Sequence, residues 1–268
     1  MPSGKQSKRQ RGAARTGPPP VQRKGRRRQV SRRALLTAAA VIVLAAIGLT
    51  LGVVLSAGSS KASTPARGSL VNALPGAADV QRLLSGIPQS GNVLGSRSAP
   101  VTVVEYVDLQ CPYCQQFETQ AMPGLIGQYV RTGKVKIEAR PIAFIGPDSQ
   151  RGRAAAIAAG EQNKLFNFAQ VLYLNQGSEN TGWLNDQMIE SAASSIPGLD
   201  VPQLLSTRSS ATVNTRADAF DQQAVADNVQ ATPTILVGKT GGTLRPVALK
   251  SPTDGQSVAS AINAALRS

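Results

Sequence analysis

The stretch Val101-Thr-Val-Val-Glu-Tyr-Val-Asp-Leu-Gln-Cys111-Pro-Tyr-Cys114 constrains this chain more than any other. Val101, Val103, Val104, Tyr106 and Val107 crowd β-branched and aromatic side chains into a run too short for a helix. That predicts a strand with both faces covered. The strand leads straight into a Cys-x-x-Cys pair, and Pro112 follows the first cysteine. A proline at the first helical position loses no hydrogen bond there, and its fixed φ suits the turn. Cys111 is therefore expected at the N-cap and Cys114 one turn into the helix. The free N–H groups of that turn, with the positive end of the helix dipole, face the Cys111 sulfur. They favour the thiolate, which is the form that attacks disulfides.

The two cysteines are the only ones among 268 residues, and there is no histidine. No structural disulfide is left over. Zinc draws about four ligands, mostly Cys and His; two thiols do not supply them, so no metal is expected. Ser-His-Asp and Cys-His hydrolase chemistry is excluded for want of imidazole. Activation of the thiol falls to backbone and dipole, and the expected redox group is the Cys111–Cys114 pair itself, without a cofactor. Cys111 is the expected nucleophile and Cys114 the resolving thiol.

Charge is distributed unevenly. Lys and Arg total 29 against 15 Asp and Glu, a net +14, yet residues 1–33 hold 12 of the basic residues and no acid. The rest is close to neutral, which marks a basic tail and not a nucleic-acid-binding surface. Residues 1–33, rich in Lys, Arg, Gly, Pro, Ser and Gln, are expected to be disordered and cytoplasmic. Residues 34–57 form 24 uncharged positions, enough to span a bilayer core of about 20 residues. Arginines crowd the N-terminal flank, so the positive-inside rule places everything after residue 57 outside the cytoplasm. Ser31-Arg32-Arg33-Ala34-Leu35-Leu36 also has the pattern of a twin-arginine signal, with Ser60-Lys61-Ala62 as a small-x-small cleavage site. The apolar run exceeds a usual signal core, and an uncleaved anchor is the expectation taken forward. Residues 58–77, small and polar, read as a flexible linker.

The remaining domain, 78–268, reads as α/β. Asp79–Leu84 suggests a short helix and Val93–Leu94 an extra edge strand. A helix is expected from Cys114 to about Val130, then a strand at Val135–Ala143 with Val135, Ile137 and Ala139 on one face. Strand, helix, strand implies a parallel pair with a right-handed crossover. A helical insert follows over about 148–228, with Trp183 in its core. Thr234–Val237 and Leu244–Leu249 read as a hairpin, and Thr253 with Gln256 as a capping box for a final helix. Asp108 reads as a solvated acid at a loop end.

Glu105 with Cys111-Pro-Tyr-Cys114, and Ala231-Thr232-Pro233-Thr234-Ile235-Leu236-Val237-Gly238 far downstream, together resemble the DsbA-like thiol–disulfide oxidoreductases of the thioredoxin superfamily. The resemblance implies a thioredoxin fold with a helical lid, preceded here by a single N-terminal transmembrane helix. It implies that Pro233 is cis and packs beside the cysteines, that the Thr232 backbone pairs with an extended substrate, and that Glu105 points toward the sulfurs. A buried carboxyl there has a raised pKa and can handle protons; the alternative is a structural pairing with Lys or Arg. Tyr113 departs from the His of the best-known members, which removes an imidazolium that would steady the thiolate. The family implies exchange with exported protein thiols and recycling by a membrane quinone-linked oxidase. Oxidase is the expected direction. Reductase or isomerase is the near alternative, and a non-catalytic binder of unfolded exported chains the alternative from another class.

Overall fold

The structure, a computed structural model, describes residues 64–268. The basic tail at 1–33 and the apolar run at 34–57, with the transmembrane reading placed on it, lie outside the described residues. Among the described residues no helix is long and apolar enough to cross a membrane.

All seven residues of β3 (Val101–Val107) are buried, as a strand rich in β-branched and aromatic residues predicts. β3 occupies an inner place in a six-stranded sheet of order β1-β2-β4-β3-β5-β6, where β1 is Gln89–Ser90, β2 Val93–Leu94, β4 Val135–Pro141, β5 Thr234–Lys239 and β6 Arg245–Pro246. It pairs in parallel with β4, from Val101↔Val135 to Val107↔Pro141, and antiparallel with β5, from Val101↔Lys239 to Tyr106↔Thr234. Val93–Leu94 joins the sheet beside β4, but β1 and not β2 is the edge. β6 is shorter than the hairpin reading, although Val247 N still donates to Ile235 O at 2.9 Å beyond it; Pro246 is tolerated because β6 is the edge of the sheet.

Burial along β4 alternates. Val135, Ile137 and Ala139 enter the core. On the other face Lys136, Glu138, Arg140 and Asp227 form a chain of ion pairs at 3.2, 3.6 and 3.2 Å. Asp227 follows α7, so this chain joins the sheet to the insert. The Arg140 guanidinium also lies 5.3 Å from the Tyr106 ring centre and donates to its hydroxyl.

Helix α1 is Ala77–Leu84. The helix carrying the cysteines begins as α2 (Pro112–Gln116) and runs on through a π turn at Phe117–Ala121, an α turn at Met122–Leu125 and a second π turn at Ile126–Val130. Pro123 has no N–H to give to Thr119, and the first π turn absorbs that missing bond. The insert contributes α3 (Pro147–Glu161), α4 (Leu165–Leu174), α5 (Asp186–Ser194), α6 (Val201–Thr207) and α7 (Ala211–Ala226). Nine of the ten residues of α4 are buried, making it the axis of the insert. In α3 Ala155, Ala156, Ala158 and Ala159 are fully covered, and a Cβ at Gly152 would lie 2.5 Å from Leu184 Cδ2. Small residues thus let neighbouring segments approach closely. Trp183 is half-buried in the loop before α5 and not in the insert core, and its indole N–H has no partner among the described residues.

The final helix α8 (Gly255–Arg267) is capped by Asp254, which accepts from Ser257 N, and not by the Thr253–Gln256 box. A carboxylate in that position reaches the free N–H groups directly.

The linker reading also needs correction. Within 58–77, residues 64–76 are tied to the insert. Gly68 N donates to Leu199 O at 2.9 Å, Ser69 N to Ser194 O at 2.8 Å and Leu74 N to Ser195 Oγ at 2.8 Å. The small residues that suggested a loose tether instead permit close backbone contact: a Cβ on Gly68 would lie 2.3 Å from Ile196 O and 2.5 Å from Ala193 O. Gly68→Ala is expected to lower the unfolding free energy by about 1–3 kcal/mol in chemical denaturation. A change within about 0.5 kcal/mol would mean that this segment contributes nothing to the fold.

Candidate active site

Cys111 is the N-cap of α2, with φ −71° and ψ 121°, and Pro112 is the first helical residue. Its Sγ lies 3.4 Å from the carbonyl oxygen of Thr232, and the Thr232–Pro233 peptide bond is cis. The helix start and the β5 lead-in, 121 residues apart in sequence, meet because β3 and β5 are sheet neighbours.

The two sulfurs are driven in opposite directions. Hydrogen bonding from Cys114 is the largest influence on Cys111 and draws its pKa down from 9.0 to about 6, against the effect of burial. The Thr232 side chain and the N–H groups of Cys114 and Tyr113 add to it. Cys114 has no exposed surface, and burial pushes its thiol well above the ordinary range. The arrangement yields one thiolate and one neutral thiol at neutral pH, as an attacking and a resolving group require. Cys111 is itself only 5% exposed, whereas Tyr113 is 58% exposed. Beside them runs a groove of about 330 Å³ formed by Tyr113, Thr232, Pro233 and the segment Leu249–Pro252.

Glu105 is buried on β3, and its partner is a second acid and not Lys or Arg. Burial raises its pKa from 4.5 to about 7, partly offset by a hydrogen bond with Glu118. Glu118, also buried, is pushed well above the carboxyl range by burial and then by the charge of Glu105. Its other oxygen accepts from Gln170 Nε2 at 2.6 Å. Glu105 Oε2 and Glu118 Oε1 have no partner unless a proton lies between them. One shared proton satisfies both oxygens and removes one of two buried charges. Glu118 escaped the sequence reading, although it stands four residues after Cys114, where a helix places side chains on one face.

Asp108 is not solvated. It is fully buried; Oδ1 accepts from Gln110 N at 2.8 Å and Oδ2 from Phe144 N at 2.8 Å and Ile145 N at 3.0 Å. Its carbonyl accepts from Cys111 N at 3.0 Å and from the Tyr173 hydroxyl at 3.3 Å. Three glutamines that the sequence did not single out tie the active-site loop and α2 to the insert. Gln110 Nε2 donates to Ser149 Oγ at 3.0 Å, Gln115 Nε2 to Tyr173 O at 3.1 Å and Gln176 Nε2 to Leu109 O at 2.9 Å. Among the described residues no cluster of side chains could hold a metal ion.

The carboxyl pair predicts a pH signature. Raised native pKa values mean that the folded state keeps protons that the unfolded chain releases. The stability they supply is complete below the unfolded value of 4.5 and is lost as pH rises through about 7. In the oxidised protein, where the cysteines do not titrate, chemical denaturation should show stability falling between about pH 5 and pH 8. Replacing both carboxyls, Glu105→Gln with Glu118→Gln, should flatten that decline. An unchanged slope would assign it to other groups.

A family model described as thioredoxin matches residues 89–245. A probable disulfide bond formation protein D of Bacillus cereus is 31% identical over 147 residues, which cover 54% of this chain and 68% of that protein. Disulfide bond formation protein D of Bacillus subtilis is 29% identical over 150 residues, covering 54% and 66%. The crystal structure of oxidised BdbD from Bacillus subtilis superposes with a TM-score of 0.58 at 23% identity, covering 68% of this chain and 98% of that one, a likeness of fold. With the paired motifs at 111–114 and 232–233 brought to one site, the chain belongs to the DsbA-like thiol–disulfide oxidoreductases of the thioredoxin superfamily.

Proposed function

We propose that this protein is an extracytoplasmic oxidase that introduces disulfides into exported proteins through Cys111-Pro-Tyr-Cys114. The observation that carries the reading is the opposed bias of the two thiols. Stabilising the Cys111 thiolate stabilises the reduced enzyme, and a stabilised reduced form makes the oxidised form a stronger oxidant. The Bacillus relatives named for disulfide bond formation support the same direction. The uncharged run at 34–57 would anchor the protein in the membrane, with residues 1–33 cytoplasmic.

In the forward reaction a substrate thiolate attacks Cys111 Sγ of the Cys111–Cys114 disulfide. The S–S bond breaks, a substrate–Cys111 bond forms, and Cys114 leaves with the electron pair. Its high proton affinity calls for a proton at that moment, and the Glu105–Glu118 pair holds one in the same buried region. A second substrate thiolate then attacks the substrate sulfur of the mixed disulfide and expels Cys111 as the stabilised thiolate. The substrate loses two electrons and the enzyme gains them. The Thr232 backbone would pair with the extended substrate while Pro233, without an N–H, leaves the sulfurs uncrowded. A quinone-linked membrane oxidase would restore the enzyme disulfide.

Cys111→Ser should abolish oxidation of a reduced, unfolded polypeptide. Cys114→Ser, first charged with oxidised glutathione as a mixed disulfide at Cys111, should instead pass to an enzyme–substrate mixed disulfide with a single-cysteine polypeptide, whose thiolate expels glutathione, visible as a shifted band on non-reducing gels. Oxidation that survives Cys111→Ser would remove the enzymatic reading and leave a binding module.

A further inference from the structure

The groove beside Cys111 holds a charge that the thiol chemistry does not use. Of the residues that line it, Lys250 alone is charged, and it is exposed. The acid closest in sequence, Asp254, is held mainly by hydrogen bonds, and the Lys250 charge is the smallest influence on it. Its Oδ2 accepts from the Lys250 backbone N–H at 2.9 Å and from the Ser257 hydroxyl at 2.7 Å, and its Oδ1 accepts from Ser257 N at 2.9 Å. Those bonds pin the turn that presents Lys250 and leave its ammonium outside every ion pair among the described residues. The remaining lining is uncharged: Tyr113, Thr232 and Pro233 with Leu249, Ser251 and Pro252.

We propose that the groove selects polypeptides whose reacting cysteine is flanked by acidic residues, with Lys250 as the specificity-determining cation. The inference rests on the proposed role of Cys111 and names the substrate class of that site. A chain bonded to Cys111 must lay the residues flanking its cysteine close to the sulfur, and the groove is the open surface there. A flanking carboxylate is drawn to the ammonium during encounter and in the mixed disulfide, and a flanking lysine is repelled. Because Lys250 is exposed, the preference takes the form of a rate difference that salt screens.

The test uses the full-length protein in detergent, reduced, and two single-cysteine peptides. These differ only in carrying Glu or Lys beside the cysteine, and each is activated as a mixed disulfide with thionitrobenzoate. The Cys111 thiolate attacks the peptide sulfur, the bond to thionitrobenzoate breaks, and that thiolate leaves and is read by absorbance. Cys114 then attacks Cys111, releases the peptide thiol and closes the enzyme disulfide, so the enzyme is oxidised by two electrons and the activated peptide is reduced by two. The Glu peptide should react about threefold faster than the Lys peptide at low salt. Lys250→Gln should bring the ratio to about one, and Lys250→Glu should invert it. Equal rates in the wild-type protein, or a ratio that neither substitution changes, would overturn the inference and leave the proposed function standing. No release from either peptide would overturn the nucleophilic role of Cys111 and the inference with it.

Discussion

The hydrogen bonds that reach Cys111 Sγ from Cys114, Thr232 and the first turn of α2 hold a thiolate where burial alone would discharge it. The rest of the domain can be read as the means of keeping those donors in place. β3 is buried over its whole length, which fixes the end of the strand from which Cys111 follows. Its antiparallel partner β5 brings Thr232, whose carbonyl oxygen accepts from the Cys111 thiol and whose side chain favours the thiolate, beside the sulfur from a segment more than a hundred residues away. Asp108 occupies the turn between strand and helix and spends its carboxylate on the N–H groups of Gln110, Phe144 and Ile145. The same residue's backbone carbonyl fixes Cys111 N. A neutral side chain of similar size could not accept all three of those bonds.

Opposite demands are met within one helical turn. On the proposed mechanism Cys111 is charged when it attacks and when it leaves, and Cys114 stays protonated until it resolves. The first has donors aimed at it, whereas the second is sealed from water and adjoins the first. The buried pair Glu105 and Glu118 extends the same logic to oxygen. Two carboxyls without a cation retain a proton at neutral pH because shedding it would bury two like charges. The result is a proton retained in the buried interior, which the proposed mechanism would draw on when the disulfide opens.

Much of this was legible in the sequence, for local reasons. The β3 run, Pro112 after Cys111 and the alternation of Val135, Ile137 and Ala139 each specify their surroundings through covalent geometry or side-chain period. What was not legible depends on distant chain. Asp108 looks like any acid at a loop end until the Phe144–Ile145 segment supplies its donors. Glu118 lies on an ordinary helical face until Glu105 appears opposite. Residues 64–76 have the composition of a tether, yet Gly68 and its neighbours lie against the insert because nothing bulky prevents it. Lys250 belongs to the site only because the turn before α8 comes beside the Thr232–Pro233 lead-in.

The reduction potential of the Cys111–Cys114 pair decides most directly whether thiolate stabilisation makes this protein an oxidant. It is measured by equilibrating the protein with glutathione buffers and alkylating the free thiols. With Cys111 at about pKa 6, below the value of about 7 in thioredoxin, a potential less negative than about −230 mV is expected. A potential at or below the thioredoxin value of about −270 mV would contradict it and assign the protein to reduction.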